Sequence, residues 1–400
     1  MRGSMPARSD IAIRRLSWGL RSLPNFWKCW SRTEKNSMQS DMKQIKRILI
    51  TRTDRLGDVV LSTPVIRYMR GKYPGAYIAF MVRPENRDVV ANNPHLDEVI
   101  IYDKRGSQKS FWNTVRFAFG LRKKRFDTAI ALHPTNRVHI ILFLAGIPLR
   151  IGYDRKMGRL LTRRIPHHKQ EGDKHEVDYS FGLLEHAGFD ITKADRRPYM
   201  ETGDKERHMI DSIQKNFGIG DNFIAVHAGA SCPSKRWMPE RFARAADILS
   251  EKYSSDIVLV GGDETVEYSS LTVSRMKHKA VDLTGMLLVG ELAELLSRCR
   301  LFISNDSGPV HVAVAVRTPV IVIFGRNDPG LSPGRWGPLG EKDIVFHKDV
   351  GCRTCQAHKC EKDFACLRAV TVDEVVGAAG NILTTSSRST HLQKRQNQER

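Results

Sequence analysis

A chain of 400 residues with a formal net charge of +20, from 64 Lys and Arg against 44 Asp and Glu, exceeds one ordinary hydrophobic core and suits two domains. Apolar residues make up 41% and charged residues 27%, which fits a soluble globular protein, and no run of eighteen apolar residues offers a membrane-spanning helix. The basic excess selects nucleic acid, an anionic membrane surface or phosphorylated substrates as partner classes.

Residues 1–41 read as a basic extension. Met1–Arg47 carries eleven Lys and Arg, opposed only by Asp10, Glu34 and Asp41. Within it, "IAIRRLSWGLRSLPNFWKCW" mixes Trp18, Phe26, Trp27 and Trp30 with arginines, as in an amphipathic helix lying on a membrane surface. A disordered basic arm upstream of a start at Met42 is the other reading. The continuous apolar core of a secretory signal is missing. Seven cysteines without an export signal imply a reducing compartment in which disulfides are not the default.

From Lys46 onward, short β-branched runs alternate with helical patterns. "RILITR" reads as a buried strand, followed by a helix over "VVLSTPVIRYMRGKY" that is broken or restarted at Pro64. Strands "AYIAFMV", "EVIIYD" and "DTAIALH" follow, with helices "SFWNTVRFAFGLRKK", "RVHIILFLAGI" and "HEVDYSFGLLEHAGF". Around 190–205 the apolar periodicity lapses, and this stretch reads as a linker. The alternation then resumes with "FIAVHAGA", "PERFARAADILSEKY", "DIVLVGG", "AVDLTG", "VGELAELLSRC", "RLFISND", "GPVHVAVAV" and "PVIVIFG". The expectation is an α/β chain of two doubly wound parallel-sheet domains, 42–190 and 191–383, facing across a cleft, with a disordered polar tail over 384–400.

Neither G-x-G-x-x-G nor G-x-x-x-x-G-K-[ST] occurs, and no D-x-D pair is present to hold a metal–pyrophosphate. Anion chemistry is instead written at strand ends. In "NDSGPVHVA", Asp306, Ser307 and Gly308 stand where a helix should begin, with His311 one turn in. Such a start offers unpaired N–H groups and a positive dipole end; the plain alternative is an N-cap with an incidental histidine. In "HAGASCPSKRWMPERF", the small-residue loop Gly229–Ser231 precedes Lys235 and a helix opened by Pro239. An ammonium there would stabilise a departing diphosphate, although a single lysine is more often a surface group. In "ITRTDRLGDVVLSTPV", Asp58 opens a helix at the cleft mouth. It suits a general base, and equally a simple helix-start carboxylate. Arg52 and Arg55 would neutralise an anionic acceptor or merely pair with Asp54. Cys352, Cys355, Cys360 and Cys366 fall within fifteen residues; a structural zinc site, reduced packing cysteines and a disulfide pair all remain open.

Taken together, "ILITRTDRLGDVVLSTPVIRYMRGKYPGAYIAFMV", "VHAGASCPSKRWMPERFA", "LTGMLLVGELAELLSRCRLFISNDSGPVHVAVAVRTPVIVIFG" and the cysteine-rich stretch before "VTVDEV" resemble the ADP-heptose:lipopolysaccharide heptosyltransferases over about Met42 to Leu383. The resemblance implies a GT-B fold and inverting transfer of a heptose from ADP-heptose, with no cofactor and no catalytic metal. It implies a base at Asp58 and donor contacts from Ser231, Lys235, Asp306, Ser307, Gly308 and His311. Ala230 lacks the hydroxyl often found beside Ser231 in that family, and the extension before Met42 is unusual for it. The implied acceptor is an anionic lipid A–inner-core molecule met by Arg52 and Arg55, at the inner face of the cytoplasmic membrane, where the protein would be cytoplasmic or weakly peripheral. A GT-B transferase using another nucleotide sugar, or a protein acceptor, is the nearest rival. A nucleic-acid role finds no RNP, zinc-finger or helix-turn-helix signature.

Overall fold

In the computed structural model, which describes residues 45–352, 355 and 358–384, the alternating runs resolve into two six-stranded parallel sheets. The first is built from β1 (Arg47–Thr51), β2 (Tyr77–Val82), β3 (Glu98–Ile101), β4 (Thr128–Ala131), β5 (Leu149–Tyr153) and β6 (Arg163–Ile165), in the order β3-β2-β1-β4-β5-β6. The second uses β7 (Phe223–His227), β8 (Asp256–Leu259), β9 (Val281–Asp282), β10 (Leu301–Asn305), β11 (Val320–Phe324) and β12 (Ile344–His347), in the order β12-β11-β10-β7-β8-β9. Counted from its own first strand, each sheet has the same doubly wound Rossmann-like order. The winding reverses between β1 and β4, and again between β7 and β10. Loops diverge at those two points, so a crevice opens there at the strand carboxyl ends.

The strands are near-continuous apolar runs because helices cover both faces of each sheet. Ile48, Leu49 and Ile50 of β1 are wholly buried, and Ile50 is paired with Phe80 of β2 and Ile130 of β4. The helices used below are α1 (Leu56–Val60), α2 (Thr63–Lys72), α3 (Phe111–Arg122), α4 (Asn136–Leu144), α5 (Glu176–His186), α6 (Asp204–Phe217), α7 (Pro239–Tyr253), α8 (Val289–Arg298) and α9 (Gly308–Ala315). The interruption expected at Pro64 is a restart: Pro64 sits in the first turn of α2, where its missing N–H would have had no intrahelical partner. Between α5 and α6 the chain forms neither helix nor strand.

Three strands lie outside the sequence expectation. β5, β6 and β12 carry arginines or polar flanks and are only partly buried at their ends, so their alternation is weak. The second core gathers Trp237, Phe242 and Leu249 with the C-terminal residues Val372, Val375 and Ile382. The extension 1–41 and the tail beyond Thr384 lie outside the described residues. Among those described, no helix is long and apolar enough to cross a membrane.

Candidate functional site

The chain leaves β1 through Arg52, whose side chain is fully buried. Its guanidinium donates to Asp54 Oδ1 at 2.8 Å, to Glu176 Oε1 at 3.0 Å, and to Asp58 Oδ1. Burial opposes its charge, but the three carboxylates more than offset this and hold it firmly protonated. Of the two readings given for Arg52, an anionic acceptor or pairing with Asp54, the second is the one seen: its donors go to carboxylates and to the Leu132 carbonyl of its own chain, and it orients Asp58. Arg55, at the N-cap of α1, is exposed at the loop mouth.

Asp58 stands in the first turn of α1. Burial pushes its carboxyl above the ordinary range; Arg52 opposes that, while the neighbouring Asp54 and Glu176 carboxylates add to it. His133, two residues beyond β4, lies with Nδ1 3.2 Å from Asp54 Oδ2. Burial, reinforced by Arg52, drops its imidazole to about 3, so it is neutral at physiological pH. Both switch-point strands of the first sheet thus deliver side chains to this cluster.

At the second switch point, Asn305 ends β10 and is wholly buried. Its Nδ2 donates to the carbonyls of Ala228 (2.7 Å) and Gly229 (3.3 Å), and its Oδ1 accepts from the Trp237 N–H at 2.8 Å. One amide therefore fixes both ends of the loop carrying Ser231 and Lys235. Trp237 is itself buried, donating from Nε1 to the Val370 carbonyl at 3.1 Å. Lys235 closes a short 3-10 turn and pairs with Asp306 at 2.6 Å. Burial raises the Asp306 carboxyl, with Lys235 and Arg326 opposing. Ser231 is exposed on the loop. Ser307 is the N-cap of α9, but its hydroxyl lies 3.1 Å from Ser304 Oγ and does not cap the helix, so the α9 N–H groups keep their anion-binding capacity.

The two switch points touch. A Cβ built on Gly57 would fall 2.6 Å from His311 Cδ2, and one on Gly308 would fall 3.3 Å from Leu56 Cβ. The missing side chain of Gly308 makes room for α1. His311 is buried, with Nδ1 lacking a partner among the described residues. Burial, with the His175 and Lys235 charges, drops it to about 3. Gly57→Ala is expected to force α1 from α9 and lower kcat/KM by about ten- to hundredfold through misplacement of Asp58. Steady-state kinetics with an unchanged melting curve would check this, and a variant at full rate would show that the contact is dispensable.

A second bridge passes through Glu176 at the start of α5. Its carboxylate, 1% exposed, accepts from Lys169 (2.6 Å), Arg52 (3.0 Å) and Arg335 (2.8 and 3.1 Å). Burial alone would raise Glu176, yet Lys169, Arg52 and Arg335 hold it well below the usual carboxylate range. Lys169 is lowered by burial to about 8. Arg335 comes from the segment after β11, and beside it His175 Nε2 lies 2.9 Å from the Gly337 carbonyl. Sequence reading found none of Lys169, Glu176, Arg335, His133 or Asn305, although Asn305 opens the "NDSG" stretch.

Cys352, Cys355, Cys360 and Cys366 are free thiols. Burial and the proximity of the other three raise Cys366, whose Sγ donates to the Gly325 carbonyl at 3.0 Å. Among the described residues, no three His, Cys, Asp or Glu side chains are arranged to hold a metal.

Residues 114–365 match the family model described as glycosyltransferase family 9 (heptosyltransferase). The chain is 23% identical to lipopolysaccharide heptosyltransferase 3 of Escherichia coli K12, covering 82% of this chain and 95% of that protein. It superposes on a glycosyl transferase family 9 structure from Veillonella parvula with a TM-score of 0.75 and 27% identity, covering 85% and 98% of the two chains. The E. coli ADP-heptose lps heptosyltransferase II gives a TM-score of 0.71 at 22% identity, over 86% of this chain and 100% of that one. These neighbours share the GT-B arrangement of two facing parallel-sheet halves seen here.

Proposed function

This chain belongs to glycosyltransferase family 9 (heptosyltransferase), and from that premise we propose inverting transfer of a heptose from ADP-heptose to the anionic inner core of lipopolysaccharide. Asp58 accepts the proton of an acceptor hydroxyl as its oxygen attacks the anomeric carbon from the face opposite ADP. The anomeric C–O bond breaks, and its electron pair leaves on the β-phosphate oxygen. Lys235, the Ser307 hydroxyl, neutral His311 and the open N-terminus of α9 receive that charge, while Ser231 contacts the donor from its loop. In this reading protein groups, rather than a bound cation, meet the leaving nucleotide. The observation that supports it is the contact of Gly57 with His311 and Gly308, which sets the helix of Asp58 beside the helix start that this reading takes as the anion site.

The acceptor in this reading is lipid-anchored in the cytoplasmic leaflet, and the protein meets it as a peripheral visitor, with Arg55 exposed at the loop mouth to approach its anionic groups. Incubation with ADP-heptose, UDP-sugars and GDP-sugars, each with inner-core acceptors, tests the reading by mass spectrometry. The expected product is an acceptor heavier by one heptose, formed only with ADP-heptose. Transfer from a UDP- or GDP-sugar alone would overturn it. Lys235→Ala is expected to weaken ADP binding by about tenfold or more, the loss of a charge-assisted contact; unchanged affinity by calorimetry would remove Lys235 from the donor site.

A further inference from the structure

The outer faces of α3 and α4, which pack side by side in the first half, expose Trp112 (76%), Phe111 (58%), Phe119 (49%) and Phe143 (49%). On α3 and its C-cap residue, Trp112, Arg116, Phe119 and Lys123 are all exposed and recur at helical spacing, so they form one outward stripe of alternating aromatic and cationic groups. The opposite face of α3 buries Thr114, Ala118 and Leu121 in the core, so the stripe is not needed for folding. From Lys104 to Arg125 the chain holds eight Lys and Arg and no Asp or Glu. Among the described residues, Lys124 is the one of these that pairs with a carboxylate, Glu98 at 2.6 Å.

We infer that this α3–α4 face docks on an anionic lipid bilayer. Aromatic side chains beside snorkelling cations match the boundary between headgroups and acyl chains. A stretch without acids complements a negatively charged leaflet. Bulky apolar groups on a convex helical surface do not serve nucleic acid, which is held by grooves and stacking platforms. Position supports the same occupant. The loop leading into α3 lies at the carboxyl end of the first sheet, where Lys104 Nζ donates to the Thr53 carbonyl at 3.4 Å. Arg137 of α4 pins that loop through the carbonyls of Gln108 and Lys109. A bilayer against α3 would therefore lie beside the loop that carries Asp54 and leads to Asp58. The proposal rests on the reading of a lipid-anchored acceptor for its purpose, but not for its test.

The test uses the full chain without donor or acceptor. Vesicles of phosphatidylglycerol and phosphatidylcholine are compared with pure phosphatidylcholine by co-sedimentation, with amide hydrogen exchange locating the contact. Binding to the anionic vesicles alone is expected, with slowed exchange across Phe111–Arg122. Trp112→Ser/Phe119→Ser and Arg116→Glu/Lys123→Glu should each lower partitioning by about tenfold, while both keep the wild-type rate on a water-soluble acceptor fragment. Wild-type partitioning by both double variants, or protection confined to residues 1–44, would overturn the proposal. So would protection of the same amides by a nucleic-acid duplex but not by vesicles. Loss of the transferase reading itself would appear only in the soluble-acceptor assay, leaving vesicle binding unchanged.

Discussion

Replacing Asp58 by Asn is expected to reduce kcat by about a thousandfold, within the usual contribution of a positioned base, while ADP affinity changes by less than about twofold. The amide fills the same space, and its carbonyl still accepts from Arg52, so the α1 turn keeps its place. What disappears is the carboxylate's negative charge, and with it the basicity that takes the acceptor proton. The pH profile carries a second signature. Burial raises the Asp58 carboxyl, and although Arg52 opposes this, the net direction is upward. The base works only when ionised, so the wild-type rate should rise with pH through a midpoint above the ordinary carboxylate range. The residual rate of Asp58→Asn should lack that limb. Initial rates of ADP release between pH 4 and pH 9 and calorimetry with ADP measure both. A variant at full rate would exclude Asp58 as the base.

Glu176→Gln should lower stability by about 3–5 kcal/mol, the range for removing one member of a buried ionic cluster. At 1% exposure the carboxylate has almost no water to replace its partners, and its one negative charge is shared by Lys169, Arg52 and Arg335. The melting temperature is expected to fall by about 10 °C. Because the folded-state value of Glu176 is depressed, its contribution is complete above the ordinary glutamate range and is lost only as pH falls through the depressed value. In the variant, Lys169 loses the charge that opposes its burial, and it already sits at about 8. Its proton should leave at lower pH, so the destabilisation should shrink at alkaline pH. Thermal melts at pH 6 and pH 9 would show this, and a variant melting like the wild type at both would contradict the cluster's role.

The stretches that announced themselves in the sequence are those whose function lies in local order. Asp58 after β1, Lys235 before Trp237, and Asp306 to His311 after β10 each follow a strand and open a turn or helix, so a reader of the chain sees strand end and chemistry together. The charge network does not work locally. Arg52 and Glu176 are 124 residues apart, and Glu176 and Arg335 are 159 apart. Nothing in "EVDYSF" distinguishes a buried hub from an acidic first turn. This is why Arg52 looked available to an outside anion. Asn305 was visible, but an asparagine ahead of Asp-Ser-Gly reads as turn chemistry; only the fold shows that its amide spans two loops. β5, β6 and β12 were missed because β5 and β6 put arginines where an interior strand would put aliphatics, and both β6 and β12 pair on one side alone.

A chimera joining this chain's first half to the second half of another transferase would inherit two sound sheets and still be electrically incomplete. Unless the incoming segment brought a cation to the place of Arg335, Glu176 would lose one of its three counter-ions. A graft onto this chain's first half would therefore have to be chosen by that position before any choice of sugar-binding loop.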